Sequence, residues 1–129
     1  MKAGFTGSRN LKLSEVQKQT LTDFIINMKI TEFHHGDCVG ADADVHSFIK
    51  SAFPEIRIVI HPPVEEKHRA FCKGEVVLKA KDYMDRNRDI VDASEILFAL
   101  PQPNSNPRSG TLATIRYSEK KKKTVIKLG

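Results

Sequence analysis

The sequence predicts an α/β domain with helices on both faces of a mainly parallel sheet of about five strands, and three observations carry that expectation. Strand-like and helix-like patterns alternate from one end of the chain to the other. No internal repeat, low-complexity tract or Gly/Ser linker interrupts the alternation. The 129 residues match the ordinary size of a single unit with its own core, so one domain spanning 1–129 is expected.

The first strand is Lys2 to Thr6. After Gly7-Ser8-Arg9-Asn10-Leu11 a helix opens at Ser14, whose hydroxyl is placed to cap it, and Val16, Leu21, Phe24, Ile25 and Met28 supply its apolar face. Glu32 to His35 reads as a short second strand ending at Gly36, and Ala41 to Ala52 as a helix with Val45, Phe48 and Ile49 inward, broken by Phe53-Pro54. Ile56 to Ile60 is the third strand, stopped by His61-Pro62-Pro63. The segment 64–81 is too mixed to assign, and Val76-Val77-Leu78 suits either a short strand or a helical turn. Asp82 reads as the N-cap of a helix through roughly Asp92, followed by the apolar strand Ile96 to Leu100 and a Pro- and Asn-rich loop. A last helix starts at Ser109 or Gly110 and runs to about Lys121, and Thr124 to Leu128 closes the sheet. Such a βα alternation is solved naturally by a doubly wound, Rossmann-like αβα sandwich.

Composition narrows the classes further. With 40% hydrophobic and 29% charged residues the chain is an ordinary globular one, and no apolar run approaches the roughly 20 residues a membrane span requires. Met1 to Thr6 runs directly into a strand without a secretory leader, so no membrane and a cytoplasmic location are expected. Cys38 and Cys72 lack CxxC spacing and read as reduced structural thiols. The net charge of +5 and pI near 9.3 favour an anionic partner without separating a mononucleotide from a polynucleotide. The Lys120 to Lys123 run accounts for much of the excess and reads as a solvated helix end.

In a sheet of this kind every βα loop lies at one edge, where helix N-termini and free amides converge. The informative residues fall on those loops: Gly7-Ser8-Arg9, the stretch from Gly36-Asp37 through Gly40 to Asp42, His61, and Arg108-Ser109-Gly110-Thr111. Ser109-Gly110-Thr111 suits a phosphate at a helix start as well as ordinary capping, and Arg9 and Arg108 add cations. Asp42 either complements its helix or accepts sugar hydroxyls. Arg86 and Arg88 diverge by about 200° on their helix, so one of them is placed to reach the loop edge. No P-loop, GxGxxG or HExxH pattern is present, so no cofactor and no metal are expected.

Together, Gly7-Ser8-Arg9, Gly36-Asp37-Cys38-Val39-Gly40-Ala41-Asp42, Arg86-Asn87-Arg88 and Ser109-Gly110-Thr111 resemble the SLOG superfamily, which joins the Smf/DprA DNA-processing proteins to the LONELY GUY (LOG) phosphoribohydrolases. The resemblance spans nearly the whole chain and is nearest to the small, single-domain YspA-like members of bacteria and phages. It implies a nucleotide pocket lined by Ser8, Arg9, Gly36, Asp37, Asp42, Arg86, Ser109, Gly110 and Thr111. The LOG motif Pro-Gly-Gly-x-Gly-Thr-x-x-Glu survives here only in its later part, and Thr114 stands where its glutamate would be.

The functional expectation is therefore binding of a phosphate-bearing nucleotide or derivative, as a sensor or sequestering protein. One alternative is an N-glycosidic hydrolase using Arg86 with Asp37 or Asp42, and another is a DprA-like module for single-stranded DNA. The thin aromatic supply, with no Trp and two Tyr, places nucleic acid third. LOG-like relatives pair through helices beside the site, which makes the Tyr83 to Val91 helix the candidate face for a homo-oligomer.

Overall fold

A computed structural model describes residues 1–104 and 106–128. In chain order the elements are β1 (Lys2–Gly7), α1 (Glu15–Asn27), β2 (Glu32–His35), α2 (Ala41–Ala52), β3 (Arg57–Ile60), β4 (Val76–Val77), α3 (Tyr83–Ala93), β5 (Ile96–Leu100), α4 (Gly110–Lys120) and β6 (Thr124–Lys127). The strands form one parallel sheet in the order β4-β3-β2-β1-β5-β6. From β1 the chain steps outward through β2 to β4, then returns to the other side of β1 for β5 and β6. The direction of winding thus reverses between β1 and β5, and at such a switch point two neighbouring βα loops part to leave a crevice.

Six strands replace the five or so expected, because the unassigned segment contributes β4, whose two residues pair with Val59 and Ile60. Two residues carry no readable period, and that is why the sequence leaves this strand ambiguous. Ser14 caps α1 in a reciprocal capping box with Gln17, its Oγ accepting from the Gln17 amide at 3.1 Å. Asp82 occupies the N-cap position of α3 without a side-chain cap bond.

The main core lies between the sheet and α1 and α2, where Phe5, Phe33, Phe98, Leu21, Ile49 and Ile58 are essentially inaccessible. Each such side chain contributes about 1.5–3 kcal/mol relative to exposure. Alternation along β5 turns Leu97 to the opposite face, where it meets Ile90 and Val91 of α3. Val16, expected on the inward face of α1, is 77% exposed. It sits five positions before Leu21, about 140° round the helix, whereas Leu21 and Ile25 share one stripe. Among the described residues no helix is long and apolar enough to cross a membrane.

Candidate functional site

A hollow of about 640 Å³ opens at the carboxyl ends of β1 and β5, at the switch point. Its floor is made by Thr6 and Gly7 at the end of β1. One wall is the β2–α2 connection with Gly36, Cys38 and Asp42, and another is the first turns of α3 with Tyr83, Arg86, Asn87 and Ile90. Ser8, Arg9 and Asn10 close one side, and the β5–α4 loop with Arg108, Ser109, Gly110 and Thr111 closes the other. These last two loops are tied together, since Ser8 Oγ and Asn10 Nδ2 both donate to Gln102 Oε1, at 3.3 and 3.4 Å. Ser8, Arg9, Arg86 and the Ser109-Gly110-Thr111 start therefore converge on one cavity despite their distance in sequence.

Arg86 is the structural pivot of the wall. It is 5% exposed, and its Nη1 donates to the carbonyl oxygens of Gly36 and, at 3.1 Å, His61. Its Nε donates to Asn87 Oδ1 at 2.7 Å, and its guanidinium lies 5.3 Å from the centre of the Tyr83 ring. Gly36 is what admits it: a Cβ there would lie 2.5 Å from Arg86 Nη1.

Asp42, in the first turn of α2, faces the same wall. It is 5% exposed, and its Oδ2 accepts from the Cys38 amide at 3.1 Å. Its Oδ1 is buried without a partner in hydrogen-bonding geometry, as is Tyr83 Oη, and both residues line the hollow. A third such atom among the described residues, Ser118 Oγ, belongs to a residue outside the lining. Burial pushes the Asp42 carboxyl up to about 6, against the pull of the Arg86 guanidinium and the Cys38 and Gly36 amides. Burial likewise raises the Cys38 thiol and the Tyr83 phenol. Near neutrality the wall thus presents an ionised, buried, half-satisfied carboxylate beside a neutral thiol and phenol.

On the opposite side, Ser109 Oγ accepts from the Leu112 amide at 3.2 Å and caps α4. Among the described residues the Gly110 and Thr111 amides have no protein acceptor outside their helix. A Cβ on Gly110 would meet nothing nearer than Asn87 Nδ2 at 3.8 Å, so the space over this helix start is open. The start of α2 is different, because Ala41 N donates to Ser8 O and Ala43 N to Cys38 O, both at 3.1 Å. Gly40, at φ +86, holds that turn against the Arg9 backbone, and a Cβ would collide with the Arg9 carbonyl. Of the N-termini of α2 and α4 beside the hollow, that of α4 is the one whose first amides stay open.

Four residues expected at the site sit elsewhere. Asp37 is fully buried, accepting from Arg69 Nε and the Cys72 amide, each at 2.9 Å. Gly40 shapes the loop without lining the hollow. His61 faces a smaller compartment of about 240 Å³ on the other side of Arg86. Arg88 lies over the Tyr117 ring on the outer side of α3, as the divergence of neighbouring helix positions requires. Thr114 donates its hydroxyl back to the Gly110 carbonyl at 2.7 Å and is outside the lining. The lysine run precedes β6 and lies at the amino edge of the sheet, away from the hollow. Tyr83 and the motif residues Cys38 and Asn87, which the sequence reading leaves out of the lining, do line it.

Four of the five histidines form two wired pairs. Glu32 Oε2 lies 2.7 Å from His34 Nε2, and His34 Nδ1 lies 2.7 Å from His61 Nε2. Burial, then the neighbouring His34, pushes His61 down to about 4. The Asp37 amide donates to His35 Nδ1 at 3.0 Å, so neutral His35 carries its proton on Nε2 and donates to His46 Nδ1 at 2.9 Å. His35, His46 and Cys72 have ligand atoms within 4.8 Å of one another. A cation on His35 Nε2 would have to displace the proton that the Asp37 amide fixes there, so this trio fits a neutral hydrogen-bonded chain and not a metal centre.

No family model matches the chain, and no curated protein matches it. Solved structures do. The molybdenum cofactor binding protein from the phototrophic bacterium Rippkaea orientalis superposes with a TM-score of 0.70 at 17% identity, over 98% of this chain and 74% of that one. The structural-genomics target TM1055 superposes with a TM-score of 0.68 at 16% identity, over 96% of this chain and 71% of that one. At these identities the likeness is one of fold, a Rossmann-like α/β domain built on a parallel sheet.

Proposed function

We propose that the hollow binds a phosphate-bearing nucleotide or nucleotide derivative, and that the protein serves as a sensor or sequestering protein for it. The observation that carries this reading is the open start of α4, where Gly110 and Thr111 line a cavity that Arg9 and Arg108 also line and where, among the described residues, their amides have no acceptor outside the helix. Helix-terminal amides and the helix dipole stabilise an anion, and guanidinium groups add charge-assisted bonds to phosphate oxygens. Ser8, Ser109 and Thr111 supply hydroxyls at the same rim, and Arg86 fixes the wall behind. The Rippkaea protein is named for binding a cofactor, which agrees with a small-molecule site on this fold.

Thermal melts with AMP, ADP, NAD, ADP-ribose and cyclic nucleotides test the proposal. At a hundredfold excess over Kd, binding adds about 2.7 kcal/mol, a rise of roughly 10 °C in Tm for a domain of this size. An unchanged Tm across the whole panel would sink the proposal. A second reading, N-glycosidic hydrolysis, draws support from Asp42, a carboxyl near 6 beside a buried guanidinium and able to exchange a proton near neutrality. Thr114 supplies no carboxylate of the LOG kind, so the burden would fall on Asp42. Chromatography of the same mixtures after long incubation decides: free base supports hydrolysis, and intact nucleotide leaves binding alone.

A further inference from the structure

We infer that the hollow reads the sugar of its ligand, taking ribonucleotides in preference to deoxyribonucleotides, with Asp42 accepting a hydrogen bond from a furanose hydroxyl. The inference rests on the nucleotide reading above and goes beyond it by assigning the donor that Asp42 requires.

Structural contacts account for only part of the Asp42 carboxylate. Its Oδ2 is used by the Cys38 amide, whereas its Oδ1 is buried without a partner in hydrogen-bonding geometry, in a residue that lines the hollow. An ionised oxygen in that condition is costly to the free protein, so a ligand that donates to it is favoured by more than an exposed contact would be. The hollow also selects the kind of donor. Arg9, Arg86 and Arg108 outnumber the single carboxylate of the lining, so a cationic amine is repelled while an anion carrying a neutral hydroxyl is accepted.

Topology places that hydroxyl relative to the phosphate. α2 follows β2 and α4 follows β5, and these strands flank β1 on either side. Two inter-strand spacings separate their ends by roughly 10 Å. The length of the Asp42 side chain and the stand-off of a phosphate from the α4 amides shorten that gap to the span of a sugar esterified at its 5′ carbon. Asp42 lies beside the floor at the strand ends, whereas exposed Met84 and Pro103 stand at the rim and offer a base an apolar surface. The sugar is therefore the part of a nucleotide that meets the carboxylate.

Calorimetric titration at pH 7.5 of AMP, 2′-deoxy-AMP, 3′-deoxy-AMP and purine riboside 5′-monophosphate, which lacks the exocyclic amine, tests the inference. One of the two deoxy forms should bind roughly tenfold or more weakly than AMP, the worth of a hydrogen bond to a charged acceptor. Purine riboside 5′-monophosphate should match AMP within about twofold. Asp42→Asn should lower AMP to the level of the weakened deoxy form and leave that form nearly unchanged, the signature of a coupled pair in a double-mutant cycle. Equal binding of AMP and both deoxy forms overturns the inference and leaves the nucleotide reading standing, as does a loss confined to the amine-free compound. Binding by none of the four overturns the inference, while the nucleotide reading is decided by the wider panel of thermal melts. The wild-type comparison needs no variant, so the outcome does not depend on the folding of Asp42→Asn.

Discussion

Asp37 and Asp42 lie on one short connection, five positions apart, and the fold uses them in opposite ways. Asp37, at the end of β2, has both carboxylate oxygens taken by Arg69 and the Cys72 amide and no exposure at all. Asp42, at the start of α2 and in the lining of the hollow, has one oxygen taken and the other buried without a partner in hydrogen-bonding geometry. The same contrast divides their surroundings: the histidines beneath Asp37 are bonded in chains, while Tyr83 beside Asp42 has a buried, unpartnered hydroxyl. Buried polar groups that satisfy one another build the scaffold, and those left unsatisfied at a cavity wall mark where something else must bind.

The largest expected effect breaks the contrast at its structural end. Asp37→Ala removes the partner of Arg69, whose side chain is only 19% exposed, and strips the Cys72 amide of its acceptor. Breaking a buried pair in this way costs about 3–5 kcal/mol. Urea denaturation should show that loss, with nucleotide affinity of the remaining folded protein changed little. Normal stability with lost binding would place Asp37 at the ligand and erase the distinction.

A smaller effect of opposite sign is expected at Asp42, and pH sharpens it. The carboxyl moves from 3.8 to about 6 on folding, so its unfavourable contribution is fully present above about 6 and is relieved as the pH falls towards 3.8. Some two pKa units correspond to about 3 kcal/mol. His61 moves from 6.5 to about 4, so its stabilising contribution is present above 6.5 and is lost as the pH falls through that window. His34, His35 and His46 shift in the same direction as His61. Between about pH 4 and 6 the two regions thus pull against each other, with the histidines in the majority. Asp42→Asn, which keeps an acceptor for the Cys38 amide, should stabilise the free protein by about 1–3 kcal/mol at pH 7.5 and steepen its loss of stability below pH 6. Denaturant midpoints at pH 7.5, 6 and 5 check both. A variant less stable than wild type at pH 7.5 would mean that the Asp42 carboxylate is well partnered after all.

The sequence shows the scaffold more readily than this division. Strand and helix alternation is a local pattern, and it located every element except the two-residue β4. The convergence of Arg9, Arg86 and Ser109-Gly110-Thr111 was also legible, because βα loops of a parallel sheet share an edge whatever their spacing in the chain. What separates Asp37 from Asp42 was not. Its cause, Arg69 and Cys72, lies more than 30 positions downstream in a segment with no periodic signal, brought over the loop by the pairing of Cys38 with Arg69 and the Ala70 amide bond to Asp37 O. His61 misled for a related reason: it follows a strand as a ligand residue would, yet His34 on the neighbouring strand draws its ring away. Tyr83 carries no motif, and it matters only because the first turn of α3 abuts the cavity.

Gly110 should show the smallest change in stability with a large change in binding. A Cβ there touches no atom closer than 3.8 Å, and a helical glycine replaced by alanine gains at most about 0.5–1 kcal/mol. Gly110→Ala should therefore leave the melting temperature level or slightly raised. Gly110→Glu sets a carboxylate at the start of α4, where the helix dipole favours it by about 0.3–1 kcal/mol, so stability should again hold. Its side chain, however, occupies the space and the charge that a phosphate would take, and nucleotide-induced stabilisation should vanish. Gly36 is the control for a glycine that serves packing, since a Cβ there meets the Arg86 guanidinium and Gly36→Ala should lower stability and binding together. If Gly110→Glu binds nucleotide as well as wild type does, the anion lies away from α4, and the open end of the hollow has been assigned to the wrong part of the ligand.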